Sequence, residues 1–345
     1  MDPSAPRFLI TRLSALGDTI LSIPVMCALR DQFPHAQIGW IAEPLPSKIL
    51  ADHPDLNFLF TVPKGWLKKP NEVWRLRKSL AAHRFDVVID PQGLTKSSVA
   101  GWFSGAGKRI GFARGDAREI APCLYHHQVQ AQSTYIAHRY LELLRPLGIN
   151  TTRLEFRLPV DPMAEGVVRK YCKQQDLAGG FALLNVGAGW HSKTWDPSRF
   201  ALVARQLSAW YAVRSLVVWG SSAEQERAKQ VVEEAGTSAV LARSLSIAEL
   251  KEVTRLATVM VSGDTGPLHL AVALDTPTVS LFGVTPAANL SPGTPTHRTI
   301  QKRYDQFPTS RERRSADNSA MSTIQVDDVM AVLGEMLATP RRQAA

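Results

Sequence analysis

Val261-Ser-Gly-Asp-Thr-Gly-Pro-Leu-His-Leu-Ala-Val-Ala-Leu274 joins a β-rich apolar run to a helix through a turn suited to phosphate. Val259, Met260 and Val261 end a buried strand, and Leu268 to Leu274 read as a compact helix. Gly263 and Gly266 let the backbone turn sharply and come close to a ligand. Such a turn aims backbone N–H groups and a helix N-terminus at one point, which favours an anion such as a diphosphate. On their own, Gly263, Asp264, Thr265 and Gly266 fit an ordinary helix start equally well, because capping residues are common there. A second loop of matching character tips the balance.

That loop is Gly187-Ala-Gly-Trp-His-Ser-Lys-Thr-Trp195, which follows the apolar strand Phe181 to Val186. Its glycines permit close approach, and Lys193 with Thr194 can meet a phosphate by charge and hydroxyl. A short solvated loop ended by the Asp196-Pro197 helix start is the alternative. His191 has no partner at metal spacing, and no metal site is expected. Trp219 to Glu226 closes the next strand and opens a helix, which places Glu224 either near a ribose hydroxyl or simply in a first turn that favours acids. Strands at Ser215 to Trp219, Ala239 to Leu241, Thr258 to Val261 and Thr278 to Phe282 alternate with helices near 197–211, 223–235, 246–255 and 267–273.

The first half of the chain repeats the alternation. A strand from Arg7 to Leu13 runs into Ser14-Ala-Leu-Gly-Asp-Thr19 and a helix to about Gln32, with Pro24 near the first turn or at a kink. Strands follow at Ile38 to Ala42 and Leu56 to Val62, then a basic helix ending near Phe85, then Val87 to Asp90 with the loop Pro91 to Ser98. Asp18 is either a helix cap or a carboxylate poised as general base for a hydroxyl nucleophile. Lys96 suits an acidic substrate, or is a surface lysine. Thr151 to Pro162 reads as a polar linker, Asn289 to Ser319 as a loop excursion, Ile324 to Leu337 as an amphipathic helix and Thr339 to Ala345 as a disordered tail. The pattern predicts an α/β protein with two Rossmann-like halves, at 1–160 and 161–322, followed by a helix at 323–338. Ligands of such sheets lie beyond the carboxyl ends of the strands, so a central cleft is the expected site.

The 345 residues suffice for two domains, and 45% hydrophobic with 21% charged residues is ordinary for a well-cored protein. No run has the length of a membrane span and no signal peptide is evident, so a cytoplasmic location is expected. Cys27, Cys123 and Cys172 have no redox or metal spacing and are expected to be reduced and packed. The net charge of +9 asks for an anionic partner. Lys64, Lys68, Lys69, Arg75, Arg77 and Lys78 cluster around Trp66 and Trp74, and a second group comprises Lys302, Arg303, Arg311, Arg313 and Arg314. An anionic membrane surface or an acidic substrate fits these clusters, as does a solvated face. No nucleic-acid motif accompanies them, and no nucleic acid partner is expected.

Taken together, the residues resemble glycosyltransferase family 9, the bacterial heptosyltransferases of GT-B fold, and most closely its type I branch. The resemblance rests on Leu13 to Ile20, Val88 to Ser97, Arg109 to Phe112 with Ala117 to Glu119, and His138 to Tyr140. In the second half it rests on Lys193 to Trp195, Trp219-Gly220 with Glu224 to Arg227, Gly263 to Gly266 with His269, and Met321 to Val329. It implies an inverting transfer from ADP-heptose, with no further cofactor, to a Kdo residue of a lipid A–Kdo acceptor at the inner face of the cytoplasmic membrane. It implies a GT-B cleft and a C-terminal helix returning towards the first domain. By the same resemblance Asp18 is the base. Lys193, Thr194, Glu224, Gly263, Asp264, Thr265, Gly266 and His269 bind the donor, while Ser14, Gly17, Gln92, Lys96, Arg118 and Arg139 serve the acceptor. Competing readings are an epimerase, a nucleotide-binding scaffold that has no need of Asp18, and a dehydrogenase. The last lacks Gly-x-Gly-x-x-Gly after the first strand.

Overall fold

The computed structural model describes residues 5–307 and 309–338; the tail read at 339–345 lies outside them. The chain divides into two compact units, with the boundary between Pro159 and Val160.

In the first unit, β1 (Arg7–Thr11), β2 (Gln37–Ala42), β3 (Phe58–Thr61), β4 (Val87–Asp90), β5 (Lys108–Phe112) and β6 (His127–Val129) form one parallel sheet in the order β3-β2-β1-β4-β5-β6. The crossovers carry α1 (Leu16–Gln32), α2 (Pro44–Leu50), α3 (Pro70–His83) and α4 (Thr95–Trp102), and α5 (Ile136–Glu142) follows the last strand. Leu9, Ile10 and Ile89 are fully buried, as expected of central parallel strands covered on both faces. The strand order reverses between β1 and β4, so the loops after these two strands open beside each other. Pro24 sits in the middle of α1, away from the first turn. Arg84, in the left-handed region at φ 48°, stops α3 two residues before the expected end and sends Phe85 into the core.

The linker reading of Thr151 to Pro162 needs correction. Up to Pro159 this stretch is strapped to the first unit. Phe156 and Leu158 are buried, and His53 Nε2 donates to Phe156 O at 2.8 Å. Arg157 pairs with Asp31 at 2.6 Å and Asp55 at 3.2 Å. Cys27 packs beneath, its thiol pushed up by burial and by Asp55. Asp161 belongs to the second unit, where its side chain caps the next helix by accepting from Ala164 N at 3.0 Å.

The second unit repeats the architecture. Its strands are β7 (Phe181–Asn185), β8 (Arg214–Val218), β9 (Ala239–Leu241), β10 (Val259–Gly263), β11 (Thr278–Leu281) and β12 (His297–Ile300), all parallel in the order β12-β11-β10-β7-β8-β9. Its helices are α6 (Pro162–Gln174), α7 (Pro197–Tyr211), α8 (Ser222–Ala235), α9 (Ile247–Leu256), α10 (Gly266–Ala273), α11 (Ala287–Leu290), α12 (Ser310–Ser315), α13 (Ser319–Ser322) and α14 (Val326–Ala338). The order reverses between β7 and β10. The stretch from Asn289 to Ser319 is more than a loop excursion: it supplies edge strand β12, paired with β11 from Thr278↔His297 to Leu281↔Ile300, as well as α12. Val329, Met330 and Leu333 place the apolar stripe of α14 in one cluster with Phe200, Val203 and Leu207 of α7. Cys27 and Cys172 are buried, but Cys123 is exposed, which corrects the expectation that all three are packed.

Candidate functional site

In the first unit the chain leaves β1 through Arg12, which is buried yet charged. Burial alone would lower its pKa, but the adjacent Asp18 carboxylate more than reverses this, with smaller help from Tyr140 and Asp90. Arg12 Nη2 lies 2.8 Å from Asp18 Oδ2, Nη1 donates to Pro91 O at 2.9 Å, and the guanidinium stands over the Tyr140 ring. Asp18 also accepts from Ala15 N at 3.3 Å, at the start of α1. It therefore belongs to the helix start, but with 40% of its side chain exposed it keeps a face open to solvent.

The neighbouring loop is organised by Asp90 at the end of β4. Asp90 Oδ1 accepts from Gln92 N at 2.9 Å and Gly93 N at 3.1 Å, and Oδ2 accepts from Tyr125 Oη at 2.7 Å. Complete burial pushes its pKa up, and these donors only partly counter that. Gly111 makes room for Tyr125, since a Cβ there would stand 2.3 Å from its ring. The two loops are stitched together. Gln92 Oε1 accepts from Leu13 N at 2.8 Å, Gln92 Nε2 donates to Ser14 Oγ at 3.4 Å, and Lys96 Nζ donates to Ser14 Oγ and Glu43 Oε1, both at 2.6 Å.

The fold thus gathers Ser14, Asp18, Gln92 and Lys96, with Gly17 buried at the start of α1. Arg118 and Arg139 are placed differently. The Arg118 side chain is exposed while its N donates to Gly93 O at 2.9 Å, and Arg139 is paired with Asp116. No hydrogen bond among the described residues joins either side chain to the Ser14 group.

In the second unit the register Asn185↔Ser262 sets two polar residues side by side at the carboxyl ends of β7 and β10. Asn185 Nδ2 donates to Ser262 Oγ at 2.9 Å and Thr265 Oγ1 at 2.8 Å, which fixes the turn leading into α10. Thr265 precedes α10 in extended conformation and makes no side-chain cap, so the first N–H groups of the helix are not taken by it. Asp264, only 6% exposed, collects Lys193 Nζ at 2.5 Å, Thr285 Oγ1 at 2.9 Å and His269 Nε2 at 3.4 Å. Burial by itself would raise the Asp264 pKa. His269 and Lys193 outweigh it and hold the carboxyl well below the usual range.

Lys193 Nζ also lies 4.3 Å from the centroid of the Trp190 ring. Glu224 accepts from Gly220 N at 2.8 Å and Ala188 N at 3.1 Å, tying the loops after β7 and β8 together. Gly187 is closely packed there, since a Cβ would stand 3.0 Å from Asn185 Oδ1 and 3.1 Å from Glu224 Oε1. Thr194 is buried, and its Oγ1 has no hydrogen-bond partner among the described residues. Lys193, Asp264, Thr265, Gly266 and His269 therefore converge at the start of α10, whereas Thr194 faces inward and Glu224 braces the loop from the β8 side. Gly263 ends β10 with the Lys193 carbonyl 3.3 Å from where its Cβ would be.

The basic segment is partly different from its sequence reading. Lys64, Lys68, Lys69, Arg75, Arg77 and Lys78 are all exposed. Trp74 is 65% exposed with Lys78 Nζ over its ring, but Trp66 is 1% exposed and packs against Phe103. Only one of the two tryptophans is available to a surface. No helix among the described residues is long and apolar enough to cross a membrane.

Sequence reasoning missed Arg12, Glu43, Asn185, Trp190 and Thr285 as members of these groups, because each is recognised only by what the fold sets beside it. Asp90 carried a usable signal. An acid closing an apolar strand before Pro-Gln-Gly is suited to accept from the backbone N–H groups that follow.

The model of glycosyltransferase family 9 (heptosyltransferase) matches residues 73–319 of the chain. Lipopolysaccharide heptosyltransferase 1 of Pseudomonas aeruginosa is 31% identical over 81% of this chain and 79% of its own length. The solved glycosyltransferase family 9 protein of Veillonella parvula superposes with a TM-score of 0.82 at 19% identity, over 98% of this chain and 99% of that one. The E. coli heptosyltransferase WaaC, solved with ADP-2-deoxy-2-fluoro heptose, superposes with a TM-score of 0.75 at 23% identity, over 95% of this chain and 99% of that one.

Proposed function

Because the chain belongs to glycosyltransferase family 9, the heptosyltransferases, we propose that it moves a heptose from ADP-heptose to a Kdo residue of the lipopolysaccharide inner core, inverting the anomeric centre. The observation that carries this reading is the convergence of Lys193, Asp264 and His269 at the start of α10, in the crevice where the strand order reverses. The occurrence of an ADP-heptose analogue in the solved E. coli relative supports the choice of donor.

The two units divide the work. The second holds the donor: Lys193 exchanges Asp264 for the diphosphate, and the α10 N-terminus faces the same charge. The first holds the acceptor through Lys96, Ser14 and Gln92, and Arg118, exposed on the neighbouring loop, and Arg139, once released from Asp116, are further cations for it. Asp18 takes the proton of the acceptor hydroxyl as its oxygen attacks the anomeric carbon. The bond to the diphosphate breaks with its electron pair on ADP, whose charge Lys193 offsets. Arg12, 2.8 Å from Asp18 Oδ2, holds the carboxylate in position. No metal is assigned a role in this scheme.

The exposed lysines and arginines of residues 64–78 with Trp74 bring the enzyme to the anionic cytoplasmic face where such an acceptor is anchored. The decisive experiment offers ADP-, GDP- and UDP-sugars with a Kdo-bearing acceptor, follows nucleotide release, and weighs the product by mass spectrometry, with and without EDTA. ADP-heptose is expected to be the donor, with the product heavier by one heptose and turnover retained in EDTA. Transfer from a different nucleotide sugar, or to an acceptor lacking Kdo only, would overturn the assignment.

A further inference from the structure

The scheme above makes no use of the segment carrying Arg311, Arg313 and Arg314, yet that segment is built onto the loop that carries Lys193. Ser192 Oγ donates to Arg313 O at 2.6 Å, and Asn318 Nδ2 donates to Thr194 O at 3.4 Å. These bonds hold α12 against the 3-10 turn His191–Lys193. Trp190, half-buried at the start of that turn, is the meeting point: the Lys193 ammonium is 4.3 Å from its ring centroid and the Arg314 guanidinium carbon 5.1 Å.

Two cations drawn to one aromatic ring repel each other unless a counter-ion is close. Lys193 has one in Asp264. Arg314 is exposed and has no carboxylate partner among the described residues. In the absence of ligand, Asp264 therefore cancels the charge of Lys193, and of the two cations at the Trp190 ring Arg314 is the one without a carboxylate among the described residues.

We propose that Arg314 is a second cation for the diphosphate of the nucleotide-sugar donor, held ready by Trp190. The inference rests on the reading of Lys193 as the diphosphate lysine. When the diphosphate draws Lys193 away from Asp264, Arg314 pairs with a further phosphate oxygen through its planar donors, a geometry that lysine does not reproduce. Trp190 is the positioning residue for both cations, and α12 is the part of the fold that delivers the second one.

The test is ADP binding by calorimetry over a range of salt concentrations, using the full chain and its variants Lys193→Ala, Arg314→Ala, Arg314→Lys, Arg314→Glu, Trp190→Phe and Trp190→Ala. Arg314→Ala is expected to raise the Kd for ADP about tenfold at low salt, with the loss shrinking as salt rises. Arg314→Glu should lose more and Arg314→Lys less. Trp190→Phe keeps a ring face and should stay near the parent, while Trp190→Ala should follow Arg314→Ala. Because Arg314 is exposed, the unliganded melting temperature should hold in all three of its variants. If Lys193→Ala leaves ADP affinity unchanged, the diphosphate reading itself falls. If Lys193→Ala weakens binding while Arg314→Ala and Arg314→Glu bind like the parent, only the role of Arg314 falls. Equal losses in the alanine and lysine variants with an unaltered salt dependence would reduce Arg314 to a packing residue and overturn the proposal.

Discussion

Lys96 Nζ lies 2.6 Å from Glu43 Oε1, so the cation assigned to the acceptor is held by a carboxylate, as Lys193 is by Asp264. Both lysines are parked on an acid of their own unit. Glu43→Gln removes that hold and frees Lys96 from its place beside Ser14. The KM for acceptor is expected to rise severalfold with the KM for donor unmoved. In Lys96→Ala, a further Glu43→Gln change should add little, which steady-state kinetics on the double variant checks.

Asp18→Asn keeps the size of the side chain and removes the base. Turnover is expected to fall by about 10²–10⁴-fold, the usual contribution of a general base. ADP affinity should be unaffected, because the donor group stands on the other unit's loops. Parental turnover in this variant would take Asp18 out of the mechanism.

The Asp264 carboxyl is held low by His269 and Lys193 against a burial effect that would raise it. A folded pKa below the unfolded one means that the stabilisation is fully present above the ordinary carboxylate value of 3.8 and is lost as pH falls through the lower folded value. Asp264→Asn leaves Lys193 uncompensated and should cost about 3 kcal/mol at neutral pH. Denaturant melts of parent and variant should stay a constant distance apart from neutrality down to the ordinary value. The gap should close only in stronger acid; a gap that widens there would contradict the ion pair.

Gly111→Ala forces the Tyr125 ring off its position and with it the bond to Asp90. Overpacking of this kind costs about 1–3 kcal/mol. A raised acceptor KM should accompany the lower melting temperature, because Asp90 organises the turn that presents Gln92. A variant that melts like the parent would mean that Tyr125 has room the structure does not show.

Vesicle sedimentation separates the uses of the basic segment. Replacing Lys64, Lys68 and Lys69 with Ser should weaken binding to anionic vesicles, as should added salt on the parent, each cation contributing roughly 1 kcal/mol near such a surface. Trp74→Ala should weaken it too. Trp66→Phe should leave binding intact and lower stability instead, since Trp66 lies in the core. Should vesicle binding be salt-insensitive while turnover on a delipidated acceptor falls in the triple variant, the patch belongs to the acceptor.

The fold was most legible where burial left the plainest mark. Phe181 to Leu184 and Val259 to Val261 are unbroken apolar runs because helices cover them on both faces, and the bounds of α7 are legible because Asp196-Pro197 announces its start. Three strands, β5, β6 and β12, carry no such signal. Lys108–Phe112 lies inside its sheet but opens with two charges, the edge strand His127–Val129 is three residues long, and the edge strand His297–Ile300 opens with three polar residues and reads as loop. Of the candidate site, the residues standing in loops beside glycine could be named from sequence, such as Asp18, Lys193 and Asp264. Their partners could not: Arg12 precedes Pro91 by 79 positions and Lys193 precedes Asp264 by 71, and only the parallel register closes such distances.

The strap from Thr151 to Pro159 decides where the gene can be divided. Composition invites a cut after Asn150, but a fragment ended there would strip Phe156 from His53 and Arg157 from Asp31 and Asp55, opening the floor above Cys27 to solvent. A cut after Pro159 leaves that floor sealed in one fragment and lets Asp161 close the first helix of the other. Nine residues that look like spacer are thus the last course of the first unit's wall, and the two halves can be expressed as separate polypeptides only if that course travels with the first.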